Sequence, residues 1–121
     1  MQAMSDILDR FVKAADAHQT KIIEAERVFL LANFTIRAEI PIKDEPNWLL
    51  GWGKVGAAWR LHVIKDGERT ALVSASIGLR LKATAQIDEL YAACIAAMER
   101  SIVELNNATD LMSSFIENGG K

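Results

Sequence analysis

Two heptad patterns, one at each end of the chain, constrain its fold more than any other feature of the sequence. In each pattern, largely apolar residues are separated by alternating steps of four and three, which places them on one side of a long α-helix. The first set is Met4, Leu8, Phe11, Ala15, His18, Ile22, Ala25, Phe29 and Ala32. The second set is Ile87, Tyr91, Cys94, Met98, Ser101, Leu105, Ala108, Met112 and Phe115. The patterns predict one helix at about 5–33 and another at about 84–118.

The two patterns match each other if the second helix folds back antiparallel on the first. Facing residue numbers then add up to about 119 or 120, and large residues meet small ones, as Phe11 meets Ala108. The two polar positions, His18 and Ser101, also face each other. Other facing pairs in this register are Met4–Phe115, Leu8–Met112, Ala15–Leu105 and Phe29–Tyr91. We therefore expect a helical hairpin with coiled-coil packing.

Between the helices, the sequence predicts a small antiparallel sheet over about residues 34–83. Residues 34–42 alternate between apolar and polar side chains, and Pro41 makes this segment an edge strand or an extended arm. For residues 76–83 we favour an extended strand, with a helix beginning at Ser76 as the alternative. The predicted class is thus α+β, in a single domain of residues 1–121. In chain order, we expect a long N-terminal helix, an antiparallel β-meander of three to four strands, and a long C-terminal helix that packs antiparallel on the first.

The clearest local signal within the sheet region is the dipeptide Asp66-Gly67, which lies between two β-rich runs. Asp-Gly is preferred in the two-residue type I′ turn of a β-hairpin. This turn fixes a register in which Val63 lies opposite Thr70, and the same register would place Leu61 opposite Leu72 and Trp59 opposite Ser74.

Composition and charge limit the classes of partner. The chain has 121 residues, of which 14 are basic and 16 acidic, and its net charge of −2 favours neither a nucleic acid nor a membrane. Its one cysteine forms no internal disulfide, its first residues do not resemble a secretion signal, and no apolar run approaches the roughly 20 residues of a membrane span. We therefore expect a cytoplasmic protein.

Two sequence features suggest chemistry but are better explained structurally. Gly51, Gly53 and Gly56 match the spacing G-x-G-x-x-G, yet the hairpin turn follows too soon for the crossover helix of a dinucleotide site. We interpret these glycines as relief for a crowded strand. His18 and Cys94 fall on the predicted seam without a metal-ligand pattern around them, so we predict no catalytic residue, no metal and no cofactor.

The basic residues of the central segment leave two alternatives open. A cluster of six cations between residues 48 and 82 would suit a nucleic-acid-binding protein: Lys54, Arg60, Lys65, Arg69, Arg80 and Lys82. A small-ligand-binding protein would instead use a pocket lined by the three tryptophans, Trp48, Trp52 and Trp59, with His62. The acidic total charge and the lack of a recognisable nucleic-acid module weaken the first alternative.

The favoured interpretation is a non-enzymatic protein-interaction, regulatory or accessory protein of a bacterial or phage type. Two helices that touch along one stripe leave apolar residues uncovered, and an uncovered stripe marks a partner surface. We expect a homodimer or another protein partner, with no membrane and an unlikely role for nucleic acid. The candidate interaction residues are Ile7, Val12, Ile102, Leu111 and Ile116 on the helices and Arg60, His62 and Arg69 on the outer face of the sheet.

Overall fold

The structure, a computed structural model, describes residues 2–120 and confirms the α+β class. A long helix at each end of the chain encloses a four-stranded antiparallel sheet. In chain order the elements are α1 (Gln2–Leu31), β1 (Ala38–Pro41), β2 (Leu49–Val55), β3 (Ala58–Lys65), β4 (Glu68–Ala71), a 3₁₀ turn (Leu72–Ser74), α2 (Ile77–Ala85) and α3 (Ile87–Glu117).

The sheet is a simple meander in which neighbouring strands pair in the order β1-β2-β3-β4. Asp66 and Gly67 both have positive φ angles, 53° and 79°, so the predicted type I′ turn is confirmed. The predicted pairing of Val63 with Thr70 is also confirmed. β1 is an edge strand, as the proline at its end indicated.

The chain leaves the sheet earlier than the sequence pattern suggested. β4 ends at Ala71, so the predicted pairs Leu61–Leu72 and Trp59–Ser74 are wrong. The strand favoured for 76–83 is wrong as well, because this segment lies in α2. Ser76 caps that helix by accepting a hydrogen bond from the N–H of Leu79 at 3.3 Å, which favours the helix over an extended chain.

The long helices differ from the predicted ranges by one to three residues at each end. α1 begins at Gln2, before the predicted start, and ends two residues before Asn33, whose φ of 59° stops the helix. The predicted helix over 84–118 is divided at Gln86, where α2 gives way to α3. Gly119 and Gly120 end α3 with positive φ angles, as the sequence indicated.

The core lies between the sheet and the adjoining parts of α1 and α3. Its centre is the ring of Phe29, which lies 5.2 Å from Trp52, 5.3 Å from Tyr91 and 5.9 Å from Phe34, measured between centroids. Trp52 is fully buried and donates its indole N–H to the carbonyl oxygen of Phe34. Aromatic rings packed at these distances supply much of the apolar burial in a domain of this size.

Contacts between α1 and the C-terminal helices advance in the same direction along both. His18 contacts Thr84 at 2.9 Å, Ala25 and Ile87 line a common cavity, and the rings of Phe29 and Tyr91 pack together. Phe29–Tyr91 is a predicted pair that the structure contains, but the order of the contacts is parallel, so the predicted antiparallel packing of the C-terminal helix on α1 is wrong. The predicted pair His18–Ser101 is wrong, because His18 lies against α2 instead.

This arrangement leaves the N-terminal half of α1 and the C-terminal half of α3 outside the core at opposite ends, although the last turns of the former border α2 across a cleft. Helical residues advance by about 1.5 Å each, so residues 2–16 extend for about 22 Å and residues 99–117 for about 28 Å. We call these segments the N-terminal arm and the C-terminal arm. Facing pairs expected between them, such as Leu8–Met112, do not bury each other, since these two side chains are 57% and 61% exposed.

Candidate interaction surface

Each arm carries an apolar stripe that remains exposed. On the N-terminal arm the stripe consists of Met4, Ile7, Leu8, Phe11 and Val12, which are 54–61% exposed. On the C-terminal arm it consists of Ile102, Leu105, Leu111, Met112, Phe115 and Ile116, which are 56–74% exposed. The five helix positions proposed from the sequence as interaction residues, Ile7, Val12, Ile102, Leu111 and Ile116, all belong to these stripes.

Charged residues lie on the other side of the N-terminal arm, which makes this arm amphipathic. Arg10 pairs with Asp6 at 3.2 Å and Lys13 pairs with Asp9 at 3.5 Å, each four residues apart. Such exposed pairs add little stability, but they keep the charges away from the apolar stripe. The heptad pattern therefore produces a helix surface with a polar and an apolar side, as a helix that contacts a partner requires.

The sheet-face candidates do not form the predicted surface. His62 is fully buried rather than partner-facing, because its ring lies over the glycines of β2. A methyl group at Gly51 would lie 2.5 Å from the Nε2 atom of His62 and one at Gly53 would lie 3.3 Å from its Cε1 atom. The interpretation of these glycines as relief for a crowded strand is thus confirmed for Gly51 and Gly53, which His62 crowds. It is wrong for Gly56, where an added methyl group would have nothing within 4 Å and whose φ is 66°. Gly51 and His62 are partners across β2 and β3.

The side chain of Arg60 forms an ion pair with another residue of the same chain. Its Nε and Nη2 atoms donate to the two carboxylate oxygens of Glu26, at 2.8 and 3.2 Å. Glu26 is buried in α1 and also accepts a hydrogen bond from the backbone N–H of Leu61 at 3.0 Å. This N–H has no partner in β4, because β4 ends before it reaches Leu61. The hydrogen bond from Glu26 raises the pKa of Arg60 above its usual value. Glu26 was missed by the sequence analysis, because a charged residue beside a seam is ordinarily exposed.

The remaining cations of the predicted basic cluster are dispersed. Arg69 donates to the carbonyl oxygen of Lys54, Lys82 pairs with Glu45 at 2.7 Å, and the ammonium of Lys65 lies 5.5 Å from the ring centre of Trp48. Arg80 is buried on α2. The six cations therefore do not form the continuous patch on which the nucleic-acid alternative depended.

The space between the sheet and the helices, where a tryptophan-lined pocket was considered, is occupied by Trp52 itself. The Trp52 ring packs against Phe29 on one side and lies 6.0 Å from the ring of Trp59. Cys94 is buried here too, and burial raises the pKa of its thiol to about 11. A thiol in this state is not a nucleophile near neutral pH.

A cleft between α1 and α2 brings together three polar residues that the sequence analysis did not connect. The hydroxyl of Thr84 donates to the carbonyl oxygen of Arg80 at 2.7 Å, so it accepts the hydrogen bond from Nε2 of His18. The cleft has a volume of about 140 Å³ and is lined by Phe11, Ala14, Ala15, His18, Ile77, Arg80 and Leu81. The only sequence signal for it was the Ser76 N-cap, which places Arg80 and Thr84 one helical turn apart on α2.

Two other kinds of site are absent from residues 2–120. This part of the chain has no cluster of three or more His, Cys, Asp or Glu side chains arranged to hold a metal ion. None of its helices has the length and apolarity needed to cross a bilayer.

Comparison with protein-family models, with curated proteins and with solved structures yields no match.

Proposed function

We propose that this protein is a non-enzymatic interaction protein that acts as a homodimer, in which the N-terminal arm of each copy packs on the C-terminal arm of the other. The observation that carries the proposal is the pair of exposed apolar stripes, which project in opposite directions from one core. We further propose that it works in the cytoplasm as a small accessory factor.

The amount of exposed apolar surface supports a stable partner. Each stripe exposes on the order of 500 Å² of side chain, comparable to the roughly 300–600 Å² of the largest patch on a typical monomer, and the two together expose on the order of 1,000 Å² per copy. A standard protein interface buries about 800 Å² on each partner. Covering both stripes is therefore sufficient for a specific dimer.

The sequences of the two stripes support a second copy as that partner. In the register derived from the heptads, Phe11 faces Ala108 and Ala15 faces Leu105, so large and small residues alternate along the contact. Within one chain these pairs do not bury each other. The same pairing between two chains would bury the heptad residues of both stripes at once.

The directions of the helices are compatible with this exchange. A two-fold axis perpendicular to α1 reverses the second copy, so that its α3 runs antiparallel to α1 of the first copy. The same rotation places α3 of the first copy beside α1 of the second. Both contacts are then identical, which is the closed symmetry of most homodimers.

Sedimentation equilibrium of the full chain at micromolar concentration tests the proposal. We expect a dimer, and we expect Leu105→Gln on the C-terminal stripe to shift it towards monomer. Leu31→Gln is the matched control, because Leu31 is 86% exposed at the end of α1 and outside both stripes. A monomeric wild-type chain, or equal effects of the two substitutions, would contradict the proposal.

A further inference from the structure

The cleft between α1 and α2 contains a buried cation, Arg80, that lacks hydrogen-bond acceptors among residues 2–120. Arg80 is only 5% exposed, and its Nε and Nη1 atoms are buried without a hydrogen-bond partner among residues 2–120. None of the ion pairs formed in this part of the chain involves Arg80. A guanidinium has five N–H donors and stays charged, so burial without an acceptor is strongly unfavourable.

The residues around Arg80 indicate which kind of group could accept its hydrogen bonds. Most of the cleft lining is apolar, from Phe11, Ile77 and Leu81 and two alanines, so the complementary group is an anion carried on an apolar or helical surface. A carboxylate fits the planar fork of the guanidinium and accepts two of its N–H groups together. The volume of about 140 Å³ admits one side chain of that size.

We infer that Glu104 of a second copy enters this cleft and is the counterion of Arg80. This inference rests on the homodimer proposed above. In the heptad register, residue 104 is level with residues 15 and 16 of the other chain, beside the α1 residues that line the cleft. The site is therefore complete only when two copies meet.

Glu104 is distinguished from the other carboxylates of the C-terminal arm by its position. Glu99, Asp110 and Glu117 lie on the polar side of α3, whereas Glu104 directly precedes Leu105 and flanks the apolar stripe. In antiparallel helix pairs, positions that flank the seam on the same side meet across the interface, and Ala14 of the cleft is the corresponding flanking residue of α1. Glu104 is exposed in the single chain, so it is available for this contact.

Such a pair would fix the register of the dimer. Apolar stripes tolerate slips by a heptad, whereas a buried guanidinium loses its acceptor if the helices slip. Arg80 would therefore select one alignment of the two copies, in addition to any contribution to their affinity.

The test compares self-association of the full chain with that of Glu104→Gln, with Asp110→Asn as the matched control on the polar side. By sedimentation equilibrium, we expect Glu104→Gln to raise the dissociation constant of the dimer by about tenfold or more, since a buried charge pair loses one partner. Asp110→Asn should change it by less than about twofold, as for an exposed charge.

A second experiment uses Arg80→Met, which removes the buried cation. In this background, Glu104→Gln should have no further effect on dimerisation. If circular dichroism shows that Arg80→Met does not fold, Arg80→Gln, which is also uncharged, supplies the same comparison with Glu104→Gln. An effect of Glu104→Gln that persists in full without the guanidinium would overturn the pairing.

The remaining outcomes separate this inference from the proposed function. If the chain dimerises and Glu104→Gln behaves like Asp110→Asn, the inference fails and the homodimer stands. If sodium benzoate binds equally to the wild type and to the Glu104→Gln dimer, measured by calorimetry, the acceptor of Arg80 is a free carboxylic acid and the inference fails. A chain that is monomeric at every concentration overturns the proposed function itself.

Discussion

Glu26 of α1 and Arg60 of β3 form a two-point ion pair, with both carboxylate oxygens accepting hydrogen bonds from the guanidinium at 2.8 and 3.2 Å. The side chain of Glu26 is 7% exposed, and its carboxylate also accepts a hydrogen bond from the backbone N–H of Leu61. This pair attaches the C-terminal part of α1 to the edge of the sheet where β4 has ended.

We predict that Glu26→Ala lowers the free energy of unfolding by about 2–4 kcal/mol, because it leaves a buried N–H and a half-buried guanidinium without their acceptor. Denaturation in urea measures the change. Asp6→Ala is the control, since Asp6 forms an exposed pair with Arg10, and its denaturation midpoint should remain that of the wild type. Equal midpoints for the two variants would show that the pair does not hold the helix to the sheet.

Two glycine substitutions should have opposite effects. Gly51→Ala places a methyl group 2.5 Å from the His62 ring, and we expect a loss of about 1–3 kcal/mol from overpacking. Gly78 lies in α2, where an added methyl group would have nothing within 4 Å, so Gly78→Ala should stabilise the fold by about 0.5–1 kcal/mol. Thermal unfolding of both variants measures the sign, and a stabilised Gly51→Ala protein would contradict the placement of His62.

The burial of His62 predicts a pH dependence of stability. Burial lowers the pKa of His62 below its ordinary value of 6.5, and Arg69 and Arg37 lower it further, while the Arg60 carbonyl and Glu39 oppose the shift. The unfolded chain then binds the proton more readily than the folded chain. The stabilisation is complete above pH 6.5 and is lost progressively as the pH falls below it.

Urea denaturation between about pH 7.5 and pH 5.5 tests this dependence. We expect the wild type to lose stability over this range and His62→Leu to lose less. A His62→Leu protein with an unchanged pH profile would assign the effect to another group.

The thiol of Cys94 should be inert in the folded protein. Burial raises its pKa to about 11 and also excludes reagents, so a disulfide reagent at about pH 8 should react over hours rather than seconds. In urea, where the thiol has its ordinary pKa, the reaction should be complete within the mixing time. Rapid labelling of the folded chain would mean that α3 does not cover this part of the sheet.

Local signals in the sequence were sufficient for parts of the fold. Asp66-Gly67 specifies a type I′ turn because both residues tolerate positive φ, and Asn33 ends α1 for the same reason. The edge position of β1 followed from Pro41. These predictions depend on the conformational preferences of one or two residues, which neighbouring elements do not override.

The arrangement of the helices could not be predicted in the same way. A heptad pattern identifies the face of a helix that seeks a partner, but it does not say whether the partner belongs to the same chain. Residues 71–83 alternate like a strand, yet the Ser76 cap begins α2 and turns α3 alongside α1. The partners of Glu26 and Arg80 likewise depend on where β4 ends and where α2 lies.

Cross-linking between differently substituted chains tests the exchange of arms most directly. In a background with Cys94→Ala, equal amounts of a Leu8→Cys chain and a Met112→Cys chain are mixed at micromolar concentration and oxidised. Any mixed disulfide must then join two copies. We predict that this pair forms a mixed dimer in high yield, because Leu8 of one copy faces Met112 of the other.

The control mixes Leu8→Cys with Ile95→Cys, which lies more than two heptads from the facing position and should form little mixed disulfide. A high yield for Leu8 with Met112 and a low yield for the control is the predicted result. Equal yields for the two pairs, or no mixed dimer with either, would contradict the exchange of arms between copies.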